Sequence, residues 1–425
     1  MSLSELDHLV ASAASLTALD QLASDSRTAA AHELPDLFNT YARELGATGG
    51  IAYLVDLQQR LLTPFLGTSA LLDPDTAPPR SALGVDATLA GRVYQDLSHQ
   101  LQTVGAETTL WLPLVAGTER LGVLAVGLTE PEPESDSFAA YQRLAVAAAD
   151  ILRARAAFGD TLLKAQRRYH LNTAAELQSS ILPPLSFASR AVTISAALEP
   201  CYHVAGDAID YAAGDARASV AVFDGMGHGL ESAQCAVLTV AAYRAARRSG
   251  RSLAECFADI DEALTAGMQG EIFTTGILAE LDTQTGSFRW MNAGHPPPLL
   301  IRGGQLVRTL ETESRPPLGL GDLLDAPLDP EVEQLEPGDL ILLYTDGVTE
   351  ARSPTGEFFG VERLADLVIR HLAGGLAAPE TLRRVVRELL AHHGDQLTDD
   401  ATLLMLEWRS ETTAPTYPLI RVPEA

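Results

Sequence analysis

Apolar positions change their period near residue 184. Before it they recur mainly at helical spacing; beyond it they come in short runs separated by turns. Leu6, Val10, Leu16, Leu19 and Leu22, then Leu34, Leu37, Tyr41 and Leu45, mark two helical faces in residues 1 to about 45. Pro35 stands near the start of the second, where a missing amide is tolerated. Gly46 and Gly49-Gly50 end the pattern. Ile51 to Val55 reads as a strand, Leu72 to Arg80 as a loop, and Gly84 to Asp96 as a short helix with its approach. Thr108–Leu114 and Leu121–Leu128 predict a hairpin turning at Ala116–Glu119. After an acidic loop, Glu130–Asp136, a long helix starts near Ser137. Leu144, Ala148, Ile151, Phe158, Leu162 and Tyr169 prolong it on an alternating 4-3 seam, with Arg155, Ala165 and Asn172 at the intervening positions. That pattern predicts a connector forming a two-helix dimer stalk with an imperfect seam. A helix packed on its own domain is the alternative. Pro183-Pro184 closes the helical part.

From Val192 onward the pattern predicts strands at Val192–Leu198, Ser219–Phe223, Gly276–Asp282, Ser287–Asn292, Leu299–Arg302, Leu340–Thr345 and Ala401–Trp408. Helical periods fall at Ala233–Arg248, Leu253–Gly267, Val361–Leu372 and Pro379–His392. Strands in runs with helices grouped between them predict an α+β sandwich. The tail from Ser410 reads as loose. The expected division is therefore 1–157, a helical linker 158–184, a second domain 185–409 and a tail 410–425.

Composition sharpens this in three ways. With 425 residues, 46% of them hydrophobic, the chain suits two or three packed domains. A formal net charge of −26 argues against a nucleic-acid surface and against docking on an anionic membrane. Cys201, Cys235 and Cys256 offer no C-x-x-C spacing, which makes a disulfide framework or a zinc-thiolate site improbable. The N-terminus shows no signal pattern and no apolar run approaches the ~20 residues of a membrane span. The expectation is a soluble cytoplasmic protein.

Candidate chemistry lies in acidic residues at strand ends. Asp224 follows Val220–Phe223 and opens Asp224-Gly-Met-Gly-His-Gly229; Asp346 follows Leu340–Thr345 and precedes Gly347; Asp399 and Asp400 precede the strand from Ala401; Asp207 follows Val204-Ala-Gly. Each alone is more often a turn residue or a helix cap than a ligand. Together, with no histidine or cysteine at zinc spacing, they suit a hard cation, Mg²⁺ or Mn²⁺. Two such ions about 3.5–4 Å apart would activate a shared water toward phosphorus. His228 is weighed as a proton donor to a leaving hydroxyl against a structural role, His295 reads as structural, and Arg315 as a surface residue.

The order of elements over residues 18–157, with Gly84–Arg92, Trp111–Leu114 and Leu121–Leu124, resembles a GAF domain. The resemblance implies a small-ligand pocket or a purely structural, dimer-forming domain. Without a cysteine in this region a thioether-linked bilin is excluded. Residues 174–408 resemble the stage II sporulation protein E-like branch of the metal-dependent type 2C serine/threonine phosphatases. The matching motifs, in order, are Leu177–Pro184, Ala205-Gly-Asp207, Asp224–Gly229, Asn292–Pro298, Pro317-Leu-Gly319, Leu335–Asp339, Tyr344–Glu350, Phe359-Gly360 and Asp399–Thr402. The resemblance implies an α-β-β-α sandwich and two divalent ions. Asp224 would bridge them and the Gly225 carbonyl would bind one. Asp346 and Asp399 would hold the second. Asp207 would orient metal-bound water or join the first ion's outer shell, with Asp400 in reserve should the pairing slip by one. The implied reaction is hydrolysis of phosphoserine or phosphothreonine on a partner of the anti-anti-sigma type, in a homodimer regulated through the linker. The family's small and aromatic neighbours are missing at Ala205-Gly-Asp-Ala-Ile-Asp210. That departure keeps a second reading open: a weakly active or inactive phosphatase-fold module acting as a dimeric scaffold.

Overall fold

A computed structural model describes residues 15–66, 81–199, 206–227, 229–268, 272–313, 315–320, 329–394, 397 and 399–409. Cys201, Ala205, His228, the 72–80 loop and the tail from Ser410, all singled out above, lie outside the described residues. The chain divides into two compact units between His170 and Leu171.

The first unit begins with helix α1 (15–25), a 3-10 turn and helix α2 (Leu34–Glu44). Strands β1 (Gly49–Val55), β2 (Leu61–Pro64) and β3 (Leu83–Gly84) lead to helix α3 (Leu89–Asp96). Then come β4 (Gln100–Val104), β5 (Glu107–Ala116), β6 (Glu119–Leu128), and helices α4 (Ser135–Ala156) and α5 (Asp160–Ala165). The strands form one antiparallel sheet ordered β3-β2-β1-β6-β5-β4. On β6, Leu124 and Val126 join one core with Phe38 and Leu144, while Val123 faces the other way into a core with Val93 and Trp111. Period-two alternation thus puts helices on both faces of the sheet.

The continuous connector is not found. Helix α4 stops at Ala156, and Gly159 separates it from α5. The proposed seam is consumed internally: Leu144, Ala148 and Leu162 are buried in the unit's own core, and Ile151 packs on it. Of that stripe Phe158 alone stands 81% exposed. Burying these residues against their own sheet gains more apolar contact than an interrupted seam offers, so the stalk prediction is corrected.

The second unit opens with helix α6 (Thr173–Ile181), capped by the Asn172 side chain on the Ala175 amide. Then follow β7 (Ser186–Ala188), β8 (Val192–Glu199), β9 (Asp207–Ala213), β10 (Arg217–Gly225), and helices α7 (Leu230–Arg248) and α8 (Leu253–Met268). The chain continues through β11 (Thr274–Asp282), β12 (Ser287–Ala293), β13 (Leu299–Arg302), β14 (Gln305–Thr309), β15 (Glu331–Gln334) and β16 (Leu340–Tyr344). A single turn α9 (Asp346–Thr349), helices α10 (Val361–Ala373) and α11 (Ala378–His393) and strand β17 (Ala401–Trp408) complete it. Two sheets result, β15-β12-β11-β10-β9 and β14-β13-β16-β17-β8-β7.

The two sheets pack face to face through Val220 and Val222 of β10, Ile341 and Leu343 of β16, and Leu404 and Leu406 of β17. The alternate residues of the same strands face outward. Ala221 and Phe223 meet α7 and α8, while Leu342, Leu403 and Met405 meet α10 and α11. Strands buried on both faces explain the unbroken apolar runs in the sequence, and the layers are helix, sheet, sheet, helix as expected. Among the described residues no helix is long and apolar enough to cross a membrane.

Candidate metal centre

The sandwich brings four chain segments to one end of its two sheets. Asp224, near the end of β10, lies directly opposite Asp207, the first residue of β9. On the other sheet β16 runs antiparallel to β17, so the end of the former meets the start of the latter. There the Thr345 amide donates to the Thr402 carbonyl at 3.1 Å, and the Thr402 amide donates to Thr345 Oγ1 at 2.9 Å. This pairing sets Asp346 beside Asp399 and Asp400. The Thr345 hydroxyl then donates to Asp207 Oδ2 at 2.8 Å, joining the two sheets.

Asp400 is the most tightly held of the five carboxylates. It is 3% exposed, and its Oδ2 accepts from the Gly206 amide at 2.6 Å, the Asp207 amide at 3.1 Å and Gln178 Nε2 at 3.4 Å. Its Oδ1 is buried with no hydrogen-bond partner. Gln178 Nε2 also donates to the Asp207 carbonyl at 2.8 Å, so α6 touches both residues. Close backbone approach requires glycine here. A Cβ on Gly347 would lie 1.9 Å from the Asp400 carbonyl oxygen, and one on Gly206 would meet Ser232 Oγ at 2.6 Å. The Gly225 carbonyl accepts from Ser232 Oγ at 2.9 Å.

The electrostatics report the crowding. Burial first, then Asp346, Asp399 and Asp400, push the Asp224 carboxyl up to about 7. Asp207 is raised well above the usual carboxylate range by burial and then by Asp400 and Asp224. Burial also lifts Asp346, helped by Asp399 and Glu350. Asp400 rises to about 6 through burial, against the amide hydrogen bonds that lower it. Like charges are therefore concentrated at one spot, and the charged groups acting most strongly on Asp224 are all carboxylates.

Asp207, Asp224, Asp346 and Asp399 thus act on, or sit beside, one another. Asp399 is exposed and lines a cleft of about 150 Å³ with Asp346, Glu350 and His393. Asp400, held in reserve by the sequence reading, is instead a buried link between the sheets. Asp210, part of the altered segment, does not join the cluster: Arg244 Nη2 and Arg247 Nη2 each lie 2.8 Å from its carboxylate. His295 is buried, its Nδ1 bonded to Thr275 Oγ1 at 2.8 Å, and burial lowers its pKa to about 3. Arg315 Nη2 donates to the Asp329 carbonyl at 2.7 Å. Gln178, Ser232, Thr345 and His393 were not singled out in the sequence; Gln178 and Thr345 had a signal, lying within the Leu177–Pro184 and Tyr344–Glu350 motifs.

Among the described residues no three His, Cys, Asp or Glu side chains already close into a cation cage. Mutual repulsion of the carboxylates opposes such closure. The donor set nevertheless fits a hard cation. It consists of several carboxylates, a backbone carbonyl at Gly225 and the unpartnered Asp400 Oδ1, all oxygen.

Comparison with known proteins bears on the same region. Residues 214–409 match the family model of stage II sporulation protein E. The match contains Asp224, Asp346, Asp399 and Asp400, while Asp207 precedes it. Phosphoserine phosphatase RsbU of Bacillus subtilis is 25% identical over 236 residues, covering 56% of this chain and 69% of RsbU. Protein IcfG of Synechocystis is 31% identical over 134 residues, 31% of this chain and 20% of its own. The chain therefore spans about a fifth of that relative. Among solved structures, the RsbU and RsbW domains of Rv1364c from Mycobacterium tuberculosis share 28% identity at a TM-score of 0.45, covering 52% of this chain and 61% of that one.

Proposed function

We propose, from the match of residues 214–409 to the family model of stage II sporulation protein E, that this chain is a metal-dependent phosphatase acting on phosphoserine or phosphothreonine of a partner protein. The observation that carries the reading is the crowding of Asp207, Asp224, Asp346, Asp399 and Asp400 at one end of the sandwich, where burial and neighbouring carboxylates hold Asp207, Asp224, Asp346 and Asp400 above the usual carboxylate range. RsbU of Bacillus subtilis, similar over 56% of this chain, is named a phosphoserine phosphatase, which supports the same reaction here.

In this reading Asp224, the Gly225 carbonyl, Asp346 and Asp399 would hold two Mg²⁺ or Mn²⁺ ions, and Asp207 would orient metal-bound water or join the outer shell. Bound there, the ions would lower the pKa of water and offset charge on the phosphoryl group. The chain's own residues supply the alignment. Thr345 fixes the Asp207 carboxylate, Ser232 fixes the Gly225 carbonyl, and Gln178 with two amides fixes Asp400. Such partners orient ligands and are commonly worth 10–100-fold in affinity or activity. The substrate proposed is a phosphorylated regulator of the anti-anti-sigma type. Gln178 is the element through which the region before residue 184 would influence the centre.

Phosphate release from a phosphoserine peptide in the presence of Mn²⁺ tests the reading. D224A and D346A should each abolish it; unchanged turnover in both variants would overturn the assignment. Absence of turnover with p-nitrophenyl phosphate at every Mn²⁺ concentration, alongside tight partner binding, would instead favour the scaffold reading.

A further inference from the structure

We infer that His295 is a positioning residue of the metal centre, one that sets the distance between Asp224 on one sheet and Asp346 on the other. The inference rests on the metal-dependent reading above. His295 sits where the chain crosses between the sheets, after β12 of the first and before β13 of the second. Its backbone is fixed from inside the turn. The His295 amide donates to Asn292 Oδ1 at 2.7 Å, and Asn292 Nδ2 donates to the His295 carbonyl at 2.8 Å. Gly294 supplies a left-handed step at φ +65°. Pro296, Pro297 and Pro298 then stiffen the exit toward β13.

The ring is held from both sheets. On the first, Nδ1 meets Thr275 Oγ1 at 2.8 Å. Thr275 lies directly opposite Asp224 on β11, as Asp207 does on β9. On the second, the polar group acting on the ring is the Tyr344 backbone, which favours the protonated ring as a facing acceptor does. With Nδ1 at Thr275, Nε2 is the nitrogen left for it, buried and without any other hydrogen bond.

The sequence explains why that acceptor is available. The Thr345 amide turns toward β17, where it donates to the Thr402 carbonyl. Alternation therefore turns the Tyr344 carbonyl the other way, toward β13. The β13–β16 register pairs Leu299 with Leu342 and, carried two residues further, sets Tyr344 against Pro297. Proline has no amide to donate, so the carbonyl lacks a strand partner and the His295 ring stands in for one. Two ties thus span the sheets beside Asp224. One runs from Thr345 to Asp207, the other through His295 from Thr275 to Tyr344. Asp346 follows the two residues that the ties hold on β16 and its end.

Mn²⁺ affinity, read by titration calorimetry on the full chain, separates positioning from plain support of the fold. H295A should weaken Mn²⁺ binding at the centre about 10- to 100-fold and lower kcat on a phosphoserine peptide by a similar factor, with KM for the peptide little changed. T275V keeps the shape of the side chain, removes its hydroxyl and should weaken binding in the same direction. The H295A, T275V double variant should bind no more weakly than H295A, because both changes act through one contact. V385A removes bulk from the core under α11, in the same unit but away from both ties. It should bind Mn²⁺ as the wild type does, at a temperature where every variant is folded. Wild-type affinity in H295A and T275V, independent losses that multiply in the double variant, or an equal loss in V385A would each overturn the inference while leaving the metal-dependent reading intact. Should H295A fail to fold, T275V measured against V385A decides between the same outcomes. A wild-type chain that binds no Mn²⁺ would overturn the metal-dependent reading, and this inference with it.

Discussion

At the scale of single residues the molecule accepts unfavourable positions that a cation would relieve. A carboxyl whose pKa is raised in the folded state favours folding when protonated, so its ionisation costs stability as pH rises through that value. Asp400 and Asp224, raised to about 6 and about 7, place this cost between the ordinary carboxylate range and neutrality. Mn²⁺ should therefore raise the melting temperature more at pH 8 than at pH 5.5, and D224N should remove most of that increment; equal increments in wild type and variant would argue against the site. His295 works in the opposite pH direction. Its folded-state pKa is lowered from 6.5 to about 3, so it contributes stability above 6.5 that is lost as pH falls toward 3. The loss is at most about 1.4 kcal/mol per pH unit. Urea denaturation of H295Q should show a flatter pH dependence between 4 and 6.5 than the wild type. Gly347 is fixed by contact, since an added Cβ would meet the Asp400 carbonyl at 1.9 Å. G347A should cost about 2 kcal/mol or more by the same measurement, as overpacking does.

At the scale of elements, legibility followed burial. Strands β10, β16 and β17 were visible because both of their faces are covered, giving apolar runs with sharp ends. Strand β9 escaped notice because Asp207 and Asp210 interrupt its pattern for reasons of chemistry, one at the acidic cluster and one between two arginines. The edge strands β14 and β15 were missed because exposed positions dominate them and polar residues are tolerated there. The connector misled in the other direction: its stripe of apolar residues was real, but it faces its own sheet. Of the candidate centre, the carboxylates were legible through their strand-end positions and motifs. His393 was not, because it ends a helix and reaches the cleft only through the packing of α11. Helix α6 carries the prediction at this scale. Replacing Gln178 by alanine removes its hydrogen bonds to the Asp207 carbonyl and Asp400, a change worth about 1.4 kcal/mol or tenfold in turnover. Q178A should lower Mn²⁺-dependent phosphate release about tenfold; an unchanged rate would detach α6 from the centre.

At the scale of the whole molecule, two units with separate cores account for the chain, and the acidic centre belongs wholly to the second. Its two sheets come from distant parts of the sequence, yet their ends meet at Thr345, which bonds to Asp207 on one side and Thr402 on the other. That junction places residues more than a hundred positions apart at one spot, and the account depends on what the spot can hold. Anomalous scattering from a crystal soaked in Mn²⁺ measures this directly. The account predicts two peaks, with oxygens of Asp224, Asp346 and Asp399 in contact with them. A well-ordered crystal with no peak at these residues, or with their carboxylates turned onto arginines, would contradict it.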